Sequence, residues 1–236
     1  MPPDRHRLGS GRMLLLVLIM SATALTGAHA LDMNSVNAAE LPSRPAQLKK
    51  GVNAAVIRAQ VLLDRAHFSP GEIDGRFEEN TRRALAMFED AHGLSPDSKL
   101  TPKAWSELIA TANDPALMQY TISDSDVKGP FLKKLPSKME ALSNLERLSY
   151  TDPRQEIAEK FHMSQALLKM LNPGKSLDRG GETIVVANVA NDPPDRKAAR
   201  IEVDQVNREL RVYAGDGNVI FAAPATIGSA EKPAPS

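Results

Sequence analysis

Few residues in this sequence combine the types and spacing that chemistry requires. Asp74, in the stretch Ser69-Pro70-Gly71-Glu72-Ile73-Asp74-Gly75, is of the type that serves as a general acid. No partner carboxylate at catalytic spacing is identifiable for it. Asp-Gly is also the composition of a tight turn in which the carboxylate bonds to its own backbone, and that is the reading adopted. His92 and His162 each stand alone near an expected helix end, without a second ligand at the spacing of an HExxH or HxxxD motif. An imidazole facing a helix C-terminus accounts for both, so neither metal nor cofactor is expected. Cysteine is absent, which excludes a thiol nucleophile, a disulfide and a lipid-modified cysteine among these residues. Lys133, Lys134 and Lys138 form a mild basic cluster and read as solvated surface.

The elements that would position such residues are small. The 236 residues carry 29 Lys+Arg against 29 Asp+Glu, and aromatics make up only 4%. A neutral chain without a basic stripe interleaved with aromatics gives no sign of nucleic-acid binding. Several small modules fit the composition better than one large core. The first thirty residues read as an export signal. Arg5, Arg7 and Arg12 form a basic start, Met13 to Leu25 an apolar stretch, and Ala28-His29-Ala30 a small-x-small cleavage pattern. Cleavage between Ala30 and Leu31 is expected, with an uncleaved anchor as the alternative. The apolar stretch is shorter than the about 20 residues that a stable membrane span needs. Cleavage would leave 26 basic and 28 acidic residues.

Residues 31–52 read as a spacer. In the next segment Ala55, Val56, Ala59, Leu62, Leu63 and Ala66 share one helical face. The turn at 69–75 follows, then a second helix burying Thr81, Ala84, Leu85 and Phe88, with Gly93 where a left-handed residue ends it. Thr101-Pro102 opens a third helix bearing Trp105, Leu108 and Ile109. Residues 53–112 therefore predict a three-helix unit able to fold alone. It resembles the type 1 peptidoglycan-binding domain. The resemblance is carried by Leu63, Gly71, Ile73, Asp74, Gly75, Phe77, Thr81, Ala84, Phe88, Gly93, Leu94, Trp105 and Leu108. Glu78 and Glu89 depart from it, standing where the family often has glycine and glutamine.

Residues 113–147 read as a connector broken at Gly129-Pro130 and Pro136. From 148 to 190 the expected order is a short strand at 148–150, a helix opened by Asp152-Pro153, a second helix opened by Ser164, and a strand over Thr183–Val189. This βααβ unit resembles a degenerate LysM module. Ile157, Ala158, Phe161, Leu168, Leu171, Asn172, Pro173, Gly181, Ile184 and Val186 carry the resemblance, while the Gly-Asp-Thr usual before the first helix is replaced near Asp152-Pro153-Arg154. The two resemblances imply peptidoglycan as partner and place candidate contacts at Asp74, Arg76, Arg154 and Asn172.

After a linker at 191–198, alternation at Ile201/Val203, Leu210/Val212 and Val219/Phe221 predicts strands around a hairpin turn at 215–218. Residues 199–236 resemble the opening strands of an L,D-transpeptidase catalytic domain of the YkuD type. Leu210, Val212, Tyr213, Gly217, Pro224, Ile227, Gly228, Ser229, Pro233 and Pro235 stand in the matching places. That family cross-links peptidoglycan through a cysteine acyl-enzyme carried by a Ser-His-Gly-Cys motif, which is not found here. The fold expected is thus multi-module and α-rich: a three-helix bundle, a LysM-like βααβ unit, and the first strands of an incomplete all-β domain. The function expected is that of the N-terminal part of an exported wall L,D-transpeptidase of the periplasm or cell envelope. These residues themselves are expected to bind peptidoglycan and to be inactive alone, without a stable membrane anchor after cleavage. A non-catalytic wall-binding scaffold and the targeting region of a wall hydrolase are the alternatives.

Overall fold

A computed structural model of the protein describes residues 31–49, 51–111, 114–136, 138–145, 148–189 and 193–228. The segment read as an export signal, with Ala30, lies outside the described residues. Leu31, the first residue after the expected cut, is half-buried against an apolar core. The stretch read as a spacer is structured. Helix α1, Met33–Asn37, is opened by a reciprocal capping box between Asp32 and Ser35. Asn37 then clamps a distant strand: its Nδ2 donates to the Leu117 carbonyl at 3.0 Å, and the Leu117 amide donates to its Oδ1 at 2.7 Å. A 3-10 turn follows at Pro45–Lys49.

The three expected helices form as α2 (Ala54–Arg65), α3 (Glu79–Ala91) and α4 (Pro102–Ala110). Asn53 caps α2 by accepting from the Ala55 and Val56 amides, and Thr101 caps α4 by accepting from the Ala104 amide. Glu78, at the start of α3, makes no side-chain cap. Leu62, Leu63, Leu85, Phe88, Trp105 and Leu108 fill the bundle core. Full burial of such side chains is worth about 1.5–3 kcal/mol each. One feature departs from an independent bundle: α2 is buried on both sides. Its Ile57 and Val61, with Ile73 of the following loop, belong to a second core shared with residues 116–189.

That second core is built on a two-stranded antiparallel sheet, β1 (Leu117–Thr121) with β2 (Thr183–Ala187), in the register Leu117↔Ala187 to Thr121↔Thr183. Helix α5 (Asp124–Lys128) and helix α6 (Met139–Ser143) follow β1, so the segment read as connector holds a strand and two short helices. Helices α7 (Pro153–Lys160) and α8 (Gln165–Leu171) complete the unit. No strand forms at 148–150, where Leu148 is 70% exposed. A strand there would have had to pair an open, solvated edge. The run Leu117–Thr121 instead offers Leu117 to the core and is pinned by Asn37. The order along the chain is β1-α5-α6-α7-α8-β2, so the expected β-α-α-β order is interrupted by α5 and α6, and the first strand lies 31 residues before Leu148.

The last strands are β3 (Ala198–Asp204), β4 (Glu209–Ala214) and β5 (Val219–Pro224), an antiparallel sheet in that order. It docks through β5. The Ser69 amide donates to the Ala222 carbonyl at 2.8 Å, and the Ala222 amide to the His67 carbonyl at 2.9 Å. Ala222 enters the bundle core with Val219 packed beside it. The other side is open: Ile201 is 64% and Val203 51% exposed.

Candidate functional site

The loop between α2 and α3 is held by a buried amide. Gln60 projects from the middle of α2 and is only 1% exposed. Its Oε1 accepts from the Gly75 amide at 2.7 Å and the Asp74 amide at 3.1 Å. Its Nε2 is shared among Asp74 Oδ1 at 2.9 Å, Thr81 Oγ1 at 3.0 Å and the Arg76 carbonyl at 3.2 Å. One side chain thus satisfies the polar groups of a tight turn that could not otherwise be buried against a helix. Asp74 closes the turn by accepting from the Arg76 amide at 2.8 Å, the local bond expected of Asp-Gly. Gly75 sits at φ +75°, and a Cβ there would lie 2.7 Å from Val52 Cγ1 and 2.8 Å from Ile57 Cγ1. Only glycine meets both demands.

Above this platform lies a cavity of about 320 Å³, bordered by Gln60, Glu72, Asp74, Arg76, Glu78 and Thr81. Asp74 and Arg76 therefore border one cavity, with Arg76 exposed and Glu72, Glu78 and Glu79 on the same rim. The other two candidates are elsewhere. Arg154 lies in the first turn of α7, its Nε 3.8 Å from Asp152. Asn172, at the end of α8, is 4% exposed. Its Nδ2 donates to the Leu168 and Val185 carbonyls, both at 2.8 Å, and its Oδ1 accepts from the Val185 amide at 2.6 Å. Every polar atom of Asn172 is thus engaged in tying α8 to β2, a structural assignment rather than a ligand contact.

Residues 52–108 match the family model described as "Putative peptidoglycan binding domain". The match spans Gln60, the turn, α2, α3 and most of α4. A search of curated proteins found no match. No helix among the described residues is long and apolar enough to cross a membrane.

Two further polar clusters surround the bundle. Between α2, α7 and β5 lies a cavity of about 550 Å³ lined by Asp64, His67, Glu72, Glu159 and His162 on one side and Phe221 on the other. His162 Nδ1 stands 3.0 and 3.1 Å from the two Asp64 oxygens. The Asp64 hydrogen bond raises the imidazole pKa, outweighing partial burial. The second cluster fastens α5 to α7. Asp126 accepts from Tyr120 Oη at 2.5 Å, Lys160 Nζ at 2.8 Å, and the Ser123 amide and hydroxyl. Burial pushes the Asp126 carboxyl up, but hydrogen bonds from Lys160, Tyr120 and Ser123 outweigh it and hold it at about 2. Both clusters are acidic groups met by their own donors. Among the described residues, no group of three His, Asp or Glu side chains is arranged to hold a metal. Sequence reasoning missed Gln60; the available signal was a glutamine set within the apolar run Ala59–Leu63.

Proposed function

We propose that this chain attaches to peptidoglycan through the bundle at 52–108, with the Gln60-braced turn and its cavity as the contact surface. The match over these residues carries the reading. The cavity suits a peptide bearing both amines and carboxylates. Arg76 faces a carboxylate-bearing ligand group, Glu72, Glu78 and Asp74 face an amine, and the buried amide beneath keeps the surface rigid. Glycan alone would call for aromatic platforms, and none borders this cavity.

The proposal extends to the protein's wider role: an exported wall protein in which these modules deliver a transpeptidase domain to peptidoglycan. Its support is the resemblance at 199–236 together with the antiparallel β3-β4-β5 arrangement. Leu210, Val212 and Tyr213 lie on β4, Gly217 in the turn and Pro224 at the end of β5. The pairing of β1 with β2 against α7 and α8, with α5 and α6 inserted after β1, supports a LysM-like unit between the two. Two measurements test these readings separately. The full chain is expected to sediment with purified sacculi, and failure to do so removes the binding reading. The gene downstream of codon 236 is expected to run, in some frame, into a Ser-His-Gly-Cys motif. Its absence removes the transpeptidase reading. Muropeptide analysis after incubation is expected to show no new L,D cross-links from these cysteine-free residues.

A further inference from the structure

We propose that His162 and Asp64 form a pH-sensitive latch that fastens the βααβ unit to the three-helix bundle. Helix α7 closes with the Met163 amide donating to the Ala158 carbonyl at 2.8 Å and the His162 amide to the Glu159 carbonyl at 3.1 Å. This bond pair needs a left-handed residue at the position His162 occupies, and its φ is +53°. Helix α2 ends the same way, with the Phe68 amide donating to Leu63, the His67 amide to Asp64, and His67 at φ +67°. Helix α3 ends likewise at Gly93, φ +68°, with glycine in that role. Glycine is the residue such a position ordinarily takes, and a side chain there carries a conformational penalty. At α2 and α7 the chain carries imidazoles instead, and both line the cavity between the modules. At His162 the imidazole reaches across the junction to Asp64, whose carboxylate is 7% exposed near the end of α2.

Around this pair runs a seam that does not titrate. The Ile73 amide donates to the His162 carbonyl at 2.8 Å, and the Ser164 amide to the Ile73 carbonyl at 3.0 Å. The ionisable groups facing His162 are few. Glu159 stands one turn back on α7, Asp64 comes from α2, and His67 and Glu72 come from the loop after α2. The linker and β5 bring Pro193, Pro194, Phe221 and Ala223, which carry no charge. The charge most directly bonded to the ring is therefore negative. Protonation of the ring turns a neutral hydrogen bond into a charge-assisted one across the junction. Deprotonation leaves the Nδ1–H bond and removes the attraction between charges.

The sign follows from the raised pKa. The latch's contribution is fully present below the ordinary imidazole value of 6.5 and is lost as pH rises through the higher folded value. The pH window therefore opens at about 6.5 and extends upward from there. The inference does not depend on the peptidoglycan reading, because it concerns how two parts of one chain are held.

The test combines NMR and thermal unfolding on the full chain. The His162 ring is expected to titrate above 6.5, and Asp64→Asn to lower that value to 6.5 or below. Between about pH 5.5 and 8.5 the wild-type Tm is expected to fall by about 2–4 °C more than that of His162→Asn. Asparagine tolerates the left-handed backbone and does not titrate, so the comparison isolates the ring's charge. If Asp64→Asn does not fold, the wild-type titration still decides. A His162 pKa at or below 6.5, or the same pH slope in His162→Asn and wild type, overturns the latch.

Discussion

The bundle is joined to its two neighbours by seams of different kinds. Toward residues 116–189 it gives a whole helix face: Ile57, Val61 and Ile73 are fully buried among Leu117, Ile157, Leu167 and Ile184. The partly exposed His162–Asp64 hydrogen bond and two backbone bonds lie at the rim of that contact. Toward the terminal sheet it gives mainly backbone, two amide–carbonyl bonds from 67–69 to Ala222, with Ala222 buried and the Arg83 side chain donating to the Asn207 carbonyl. The first seam resembles a domain core cut in two, while the second resembles strand addition to a loop. Apolar burial scales with area, so the two seams should differ greatly in strength although each joins one module to the same bundle.

The comparison breaks first if the bundle stands alone. Residues 53–112 were expected from their helical patterns to fold independently. With Ile57, Val61 and Ile73 stripped of partners, the isolated segment should show a broad, weakly cooperative melt by circular dichroism. A chain ending at residue 197, lacking the sheet, should melt cooperatively. A sharp melt for 53–112 alone would show that the first seam is dispensable. Ile57→Ala should cost about 2–5 kcal/mol in denaturant unfolding. Ala222→Gly, on the second seam, should cost only about 1 kcal/mol. Equal losses would erase the distinction drawn here.

Gln60→Ala addresses the loop that both seams border. Leaving the Asp74 and Gly75 amides without their acceptor should cost about 2–4 kcal/mol, since each buried group left unsatisfied costs roughly 1–3 kcal/mol. Hydrogen exchange at the Asp74 and Gly75 amides should rise most. The smallest effect belongs to Glu89, which is buried and accepts from the Ser98 amide at 3.2 Å. Burial raises its pKa. A carboxyl with a raised folded pKa favours folding at low pH, and that benefit fades as pH climbs from 4.5 through the folded value. Glu89→Gln keeps an acceptor for Ser98 and removes the charge, so Tm at pH 7 should rise by about 2 °C or less, with no gain at pH 3.

The bundle was legible because its signals are local. Thr101-Pro102 marks the start of α4, and Gly93 the left-handed end of α3. The turn at Asp74-Gly75 was legible for the same reason. What escaped depends on residues far apart in sequence. The second apolar face of α2 was hidden because Ile57 and Val61 only acquire partners from beyond residue 116. Strand β1 escaped because five residues of which only Leu117 is buried carry a weak period, and its partner strand begins 62 residues after its end. Asn172 was legible as a residue with a polar task, but its partners in β2 show that the task is internal. The terminal strands were legible from their alternation, whereas the docking of β5 on the loop at 67–69 was not, because its partners lie about 150 residues away in sequence.

The most direct measurement for the central claim is co-sedimentation of the full chain with purified sacculi, comparing wild type with Arg76→Glu. Arg76 is exposed and its backbone, not its side chain, serves the turn, so the substitution should leave Tm unchanged. The account predicts that wild type sediments and that Arg76→Glu loses most of its binding, at least about fivefold in Kd, roughly the worth of one charge-assisted contact. Equal sedimentation of the two proteins, or none by wild type, would contradict it.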